Sequence, residues 1–336
     1  MESSSNNFFC NTILFFGSLI VISCFAAVIL FAVCDPSKLY VIAPYTKIPE
    51  TTLVPGTFET DPVQNLPPKI TKKIVRIGHR GTGYTDENTL HSFAKALELG
   101  VDMIEFDIHQ TLDNRFVVIH DKTINRTTNE ILVNSLGVNS TKLIPQGESG
   151  LVANMTWGEI SQYKTKHNHR IPLLEQALHF IGTKAMINVE IKNIKPDGLR
   201  ILADIINSYS QKDFNNAGVN NTNSAFVQCK LHNNIIISSF NHYLISEFKK
   251  YCPNVRTLAL LEGLPISLAE FGTKANANII GISQDYISKE FVDDAHRRDL
   301  SVYVYTLNTI DEINTVLAMG VDGIISDFPD IIPKYA

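Results

Sequence analysis

Residues 74–108 read IVRIGHRGTGYTDENTLHSFAKALELGVDMIEFDI. The stretch opens on a short β-branched run, Ile74 to Gly78. Leu90, Phe93, Ala94 and Leu97 then fall on one face of a helix that ends at Gly100, and a second apolar run follows from Met103 to Ile108. Strand, helix and strand in that order predict a parallel pair, because a crossover of this length lets the chain re-enter one sheet in the same direction.

The alternation continues downstream. Further strand candidates are FVVIH from Phe116, MINVEI from Met186, IIISSF from Ile235, VRTLAL from Val255, IIGIS from Ile279, VYVYTL from Val302 and GIISD from Gly323. Helical stretches separate most of them, one opened by a capping box from Thr309 to Glu312. The predicted fold is α/β, a (β/α)8 TIM barrel over residues 74–336. The candidates exceed the eight places of such a ring by one, so IIGIS or the last run is expected to be irregular or outside it. A doubly wound open sheet is the alternative, but the glycines from Gly78 to Gly83 lack the G-x-G-x-x-G spacing of a dinucleotide site. Residues 129–169 are polar and carry several Gly and Asn, which predicts an inserted loop region over the barrel mouth.

The chain has 336 residues, 44% of them hydrophobic, and a net charge of −5. It can bury one large core, and it lacks the basic field or stripe that nucleic-acid binding requires. Neither nucleic acid nor a protein partner is expected. Upstream of the barrel, no charged residue lies between Glu2 and Asp35. The run from Ile13 to Val33 has roughly the 20 residues needed to span a bilayer. A polar segment 1–12, a transmembrane helix or signal anchor 13–34 and a Pro/Thr-rich stalk 35–73 are therefore expected, making the protein single-pass. A cleaved signal peptide fits less well, since the leader MESSSNN has no positive charge. A lipidation box ending at Cys24 is a weaker alternative, because the apolar sequence continues past that cysteine.

The side of the membrane is left open. Lys38 and Lys47 follow the run with no Lys or Arg before it, whereas sequons at Asn125, Asn139, Asn154 and Asn220 point the other way. Cys229 and Cys252, the cysteines distant from the apolar run, are read as buried free thiols.

Chemistry concentrates at predicted strand ends: His79 and Arg80, Glu105 and Asp107, His120 and Asp121, Glu190 and Lys192, and Asp327. In a parallel barrel these ends open on one face, where barrel enzymes keep their sites. Glu105 and Asp107, two apart on a strand, point the same way, and paired carboxylates repel unless a cation or proton separates them. Glu190 supplies a third hard oxygen, a set suited to one divalent cation, Mg2+ or Ca2+. Arg80 and Lys192 add positive charge for an anionic substrate. Histidine, with an unperturbed pKa of about 6.5, is suited to proton transfer near neutral pH, and a pair can serve as base and acid.

The ordered motifs Gly78-His79-Arg80-Gly81, Glu87-Asn88-Thr89, Glu105-Phe106-Asp107, His120-Asp121, Arg126-Thr127-Thr128, Ile171-Pro172, Glu190-Ile191-Lys192, Ser239-Phe240 and Gly320 through Pro329 resemble those of the glycerophosphodiester phosphodiesterase family. The resemblance covers residues 74 to 333. It implies a TIM barrel, a divalent metal on Glu105, Asp107 and Glu190, and catalytic histidines at His79 and His120. It also implies hydrolysis of a glycerophosphodiester to an alcohol and glycerol 3-phosphate. Arg80 and Lys192 are read as phosphate-binding. Which histidine is acid and which base stays open, as does a metal contact for His120. Asp86, Tyr305 and Ser326 stand where the family often has proline, tryptophan and threonine.

Other readings stand beside these. Glu87 and Asn88 can cap the next helix as readily as touch substrate, Asp327 can orient the last loop, and histidines outside the motifs, His109 among them, are surface or core residues. The alternatives to a diesterase of soluble substrates are a lysophospholipase D acting on membrane lyso-lipids and a catalytically silent, membrane-tethered receptor or scaffold. A phosphoinositide-specific phospholipase C shares the barrel and the two histidines, yet leaves Glu87-Asn88-Thr89 and the Gly320 to Pro329 segment unexplained.

Overall fold

Eight short runs of β-branched residues close into a ring. In chain order they are β1 (Val75–Gly78), β2 (Met103–Gln110), β3 (Met186–Asn193), β4 (Ile235–Ser239), β5 (Arg256–Leu261), β6 (Ile279–Ser283), β7 (Ser301–Tyr305) and β8 (Gly323–Ser326). Each pairs in parallel with its neighbours, and β1 pairs with both β2 and β8, so no edge is left. The structure is a computed structural model and describes residues 73–129, 131–135, 138–142, 150–215 and 234–334. The predicted anchor 13–34, the polar segment before it and nearly all of the stalk lie outside those residues. Among the described residues no helix is long and apolar enough to cross a membrane.

Among the described residues seven helices link the strands: α1 (Leu90–Glu98), α2 (Leu174–Ile181), α3 (Gly198–Asn215), α4 (His242–Tyr251), α5 (Glu270–Lys274), α6 (Lys289–Arg297) and α7 (Ile310–Ala318). Several begin where a side-chain oxygen takes an otherwise unpaired amide: Thr89 accepts from Ser92, Ser288 from Phe291, and Thr309 forms the predicted capping box with Glu312. Strand residues alternate between two layers. Ile104, Phe106 and Ile108 of β2 face outward and pack on Phe93 and Ala96 of α1. Met103 faces inward with Ile77, Ile236, Leu258, Ile279, Tyr303 and Ile325, which plug the barrel floor.

Two expectations require correction. IIGIS is β6, paired on both sides, and the final run is β8. The segment outside the ring is FVVIH: Phe116–Val118 pairs antiparallel with the end of β2, Ile108 opposite Val118 and Gln110 opposite Phe116. The five residues from Thr111 to Arg115 are too few for a parallel crossover. They turn through Asn114 at φ 63°, with the Thr111 hydroxyl accepting from Arg115 N–H. The predicted loop region 129–169 also has structure of its own. It holds a hairpin of Ile131–Ser135 with Val138–Lys142, a paired Thr128–Asn129 and Lys164–Thr165, and a helical turn Trp157–Ile160. Ile160, Tyr163, Val152 and Met155 join Val117 and Ile119 in a satellite core beneath it.

Cys252, fully buried just after α4, is disulfide-bonded. It is therefore not the free thiol the spacing suggested; Cys229 lies outside the described residues.

Candidate active site

Inward alternation along two neighbouring strands builds the floor of the mouth. Above Met103, β2 turns Glu105 and Asp107 inward; β3, paired with it, aligns Asn188 opposite Glu105 and Glu190 opposite Asp107. Glu105, Asp107 and Glu190 are all buried, and one oxygen from each lies within 4.8 Å of the others. Burial pushes the Glu105 carboxyl well above its usual range, with Asp107 and Glu190 adding repulsion. Burial and the Asp107 charge push Glu190 up to about 7. Asp107 stays below its usual value despite its burial, because Lys192 and Arg80 face it.

The donor set fits a hard divalent cation. Glu105 Oε1 is buried with no hydrogen-bond partner. Glu190 Oε1 lies 2.5 Å from Lys192 Nζ, an ion pair. Crowded, half-satisfied carboxylates of this kind are what such an ion relieves.

The turn after β1 supplies the next groups. Arg80 and Asn88 both take left-handed backbone, φ 50° and 57°, and the Asn88 amide donates to the Arg80 carbonyl, closing the loop. Strain of that kind persists only where the surroundings fix it. Here Gly81 permits it: at φ +91°, its missing Cβ would stand 2.2 Å from Ser92 Oγ. Arg80 N–H donates to Glu105 Oε2 at 2.8 Å and its guanidinium reaches Glu87 Oε1 at 2.9 Å and Asp107 Oδ2 at 3.5 Å.

His79 sits between a donor and an acceptor. Arg80 Nε, which can only donate, lies 3.2 Å from His79 Nε2, and Asp327 Oδ1 lies 2.7 Å from His79 Nδ1. That pair of partners selects the tautomer with the proton on Nδ1 and a lone pair on Nε2. Asn308 in turn donates to Asp327 Oδ2 at 2.7 Å.

His120 arrives on the return arm of the Phe116–Val118 hairpin. Its Nδ1 lies 2.8 Å from Asp121 Oδ1, and burial lowers the imidazole below its usual range. Arg126 grips Asp121 at 2.6 and 2.9 Å and Glu87 at 2.9 and 2.6 Å. One chain of ion pairs thus ties Arg80, Glu87, Arg126 and Asp121 to His120. His109, buried two residues beyond Asp107 on the same strand, contacts the His120 carbonyl through Nε2 at 2.9 Å.

The structure brings together all seven residues singled out from the sequence: His79, Arg80, Glu105, Asp107, His120, Glu190 and Lys192. A cavity of about 330 Å³ opens on six of them, with Asp107 just beneath. Others were misread or missed. Asn88 neither caps α1 nor faces outward; it donates to Asp107 Oδ2 at 2.8 Å and accepts from the Asp107 amide. Thr89 is the cap. Asn188, whose buried Oδ1 has no hydrogen-bond partner, also lines the cavity; its signal was the period-two spacing with Glu190 and Lys192. Asp86 ties the 164–170 segment down through Thr165, His167 and His169.

A mouth able to hold an anion, seat a hard cation and move protons through two aimed imidazoles defines a class, the barrel hydrolases of phosphoric diesters. Residues 79–331 match the model of the glycerophosphoryl diester phosphodiesterase family, and the chain belongs to that family. It is 28% identical over 263 residues to a glycerophosphodiester phosphodiesterase of Caldanaerobacter subterraneus, covering 77% of this chain and 96% of that one. It is 27% identical over 268 residues to the human lysophospholipase D GDPD1, covering 75% and 83%. A phosphodiesterase of Oleispira antarctica, solved with its product sn-glycerol-3-phosphate, shares the fold with a TM-score of 0.58 at 21% identity, over 76% of this chain and 94% of that one.

Proposed function

We propose that the protein hydrolyses glycerophosphodiesters to an alcohol and glycerol 3-phosphate with the help of one divalent cation, Mg2+ or Ca2+, held by Glu105, Asp107 and Glu190. The observation that carries this reading is the pair of carboxylate-oriented imidazoles facing one cavity with that acidic cluster. When bound, the cation supplies charge neutralisation at the phosphoryl oxygens. Arg80 and Lys192 hold the same oxygens and stabilise charge as it develops. His79, with its Nε2 lone pair, takes the proton of the glycerol hydroxyl beside the ester; that oxygen bonds phosphorus as the bond to the alcohol breaks. His120 donates the proton the leaving alcohol needs. Water then opens the cyclic phosphodiester with the two imidazoles in exchanged roles, which yields glycerol 3-phosphate.

A lysophospholipase D acting on lyso-lipids is the second reading, favoured by the apolar run in this chain and by the human relative of that name. We read residues 13–34 as a single-pass anchor and 35–73 as its stalk. The Cys252 disulfide favours a barrel on the oxidising side of that membrane.

Choline release from glycerophosphocholine and from lysophosphatidylcholine, with Mg2+, Ca2+ or EDTA, tests the proposal. EDTA, His79→Ala and Glu105→Ala are each expected to abolish release, and the faster substrate separates the two readings. Release that persists in EDTA would remove the metal from the mechanism, and no release from either substrate, with glycerophosphoethanolamine and glycerophosphoglycerol equally inert, would remove both readings.

A further inference from the structure

The mouth has two unlike sides. Beside β1 and the inserted segment lies a cavity of about 500 Å³ whose lining includes Asp86, Glu87, Arg126 and Lys166. Its acids are spent: Asp86 on Thr165, His167 and His169, Glu87 on two arginines. Across the site, at the ends of β4, β5 and β7, the smaller cavity is walled by Phe240, Leu260, Glu262 and Tyr305.

On that second side Phe240 is 44% exposed and meets Tyr305 edge-on, with ring centroids 6.0 Å apart at 83°. The Tyr305 hydroxyl donates to the Leu261 carbonyl at 2.7 Å, so the side chain offers the cavity its ring and not its donor. Lys192 Nζ already lies 5.6 Å from the Phe240 centroid. Glu262 follows β5 directly, and among the described residues nothing forms a hydrogen bond or ion pair with it. Every other carboxylate of the mouth has such a partner: Glu105 the Arg80 amide, Asp107 and Glu190 Lys192, Asp327 His79.

We infer that Phe240, Tyr305 and Glu262 form a subsite for a cationic alcohol group, a quaternary or primary ammonium on the leaving side of the diester. The inference rests on the phosphodiesterase reading and narrows it. Aromatic rings attract an ammonium through their negative faces, and an unpaired carboxylate at the same wall adds a charge that a neutral alcohol cannot use. Lys192, the cation nearest this wall, is itself paired with Asp107 and Glu190, while Lys166 stands on the opposite side. The substrate's negative phosphoryl and positive head therefore have separate, complementary seats about one reacting centre.

The full chain, loaded with Mg2+, would be given glycerophosphocholine, glycerophosphoethanolamine and glycerophosphoglycerol separately. Binding of free choline would be followed in parallel by ligand-observed NMR. The wild type is expected to favour the two cationic substrates over the neutral one by about tenfold in kcat/KM. Glu262→Gln should collapse that ratio toward one, and Glu262→Lys should invert it. Choline should bind the wild type and be lost in Glu262→Gln. Equal kcat/KM on all three diesters, or choline binding that ignores Glu262, would overturn the subsite and leave the diesterase standing. Failure of every diester would sink the diesterase reading, while the choline spectra still decide the subsite.

Discussion

At the scale of single residues, the orientation of His79 depends on a carboxylate that neither touches the acidic cluster nor lies near it in sequence. Asp327 accepts from Nδ1 and is itself held by Asn308, whose side chain also accepts from the Asp327 amide at 2.9 Å. Asp327→Asn keeps the shape but can present an N–H to Nδ1, which would move the ring proton to Nε2 and remove the lone pair needed there. The expected result is a fall of about 100-fold in kcat with KM within a few-fold, since a mispositioned base acts mainly in the transition state. Loss of the His79 Nδ1 proton resonance would accompany it; a variant that keeps the resonance and loses activity would refute the orienting role. The acidic triad, the imidazoles and the two cations were legible in the sequence because strand periodicity and local motifs carry them. Asn188 was not, nor were the partners of Asn88 and Asp327, although the sequence singled out both residues, because those contacts depend on register between strands and on a ring closure that joins residues far apart in the chain.

At the scale of elements, the turn from β1 into α1 places Arg80, and its tightness has a measurable consequence. A Cβ at Gly81 would meet Ser92 Oγ at 2.2 Å, Ser92 Cβ at 2.7 Å and the Ser92 backbone carbon at 2.9 Å. Ser92 cannot withdraw, because its hydroxyl accepts from Thr82 N–H at 2.8 Å and the residue is fully buried. Gly81→Ala is expected to destabilise the fold by about 2 kcal/mol or more, from left-handed backbone and overpacking together. It should also displace Arg80 and lower activity. A urea midpoint equal to wild type would show that α1 shifts freely and that the turn is soft. The antiparallel return of Phe116–Val118 was readable and was misread. Its run has the composition of a ring strand, but Thr111-Leu112-Asp113-Asn114-Arg115 is a hairpin-length connection, and connection length decides between parallel and antiparallel pairing. That hairpin is what carries His120 back over the site, so the functional motif survived an error about the element bearing it.

At the scale of the molecule, closure of the ring packs acids from β2 and β3 into the barrel's mouth, and the whole fold bears the resulting repulsion. Glu190, raised to about 7, and Glu105, raised well above its usual range, hold protons in the folded state that the unfolded chain has already released. Between pH 4.5 and 7 the unfolded chain therefore binds fewer protons at these sites, so without metal their contribution makes stability fall as pH rises. For Glu190 alone the loss is of order 3 kcal/mol. His120 and His109, lowered chiefly by burial, act with the opposite sign, but they do so with and without metal. The informative quantity is thus the difference in Tm on adding Mg2+ or Ca2+. A cation on Glu105, Asp107 and Glu190 keeps them ionised and offsets the loss, so its upshift should grow with pH, by about 5 °C between pH 5 and pH 7.5 for a domain of this size. Glu190→Gln should flatten that growth. An upshift independent of pH, or one that survives Glu190→Gln unchanged, would mean the ion binds elsewhere on the chain and that the acidic cluster is held by its own protons.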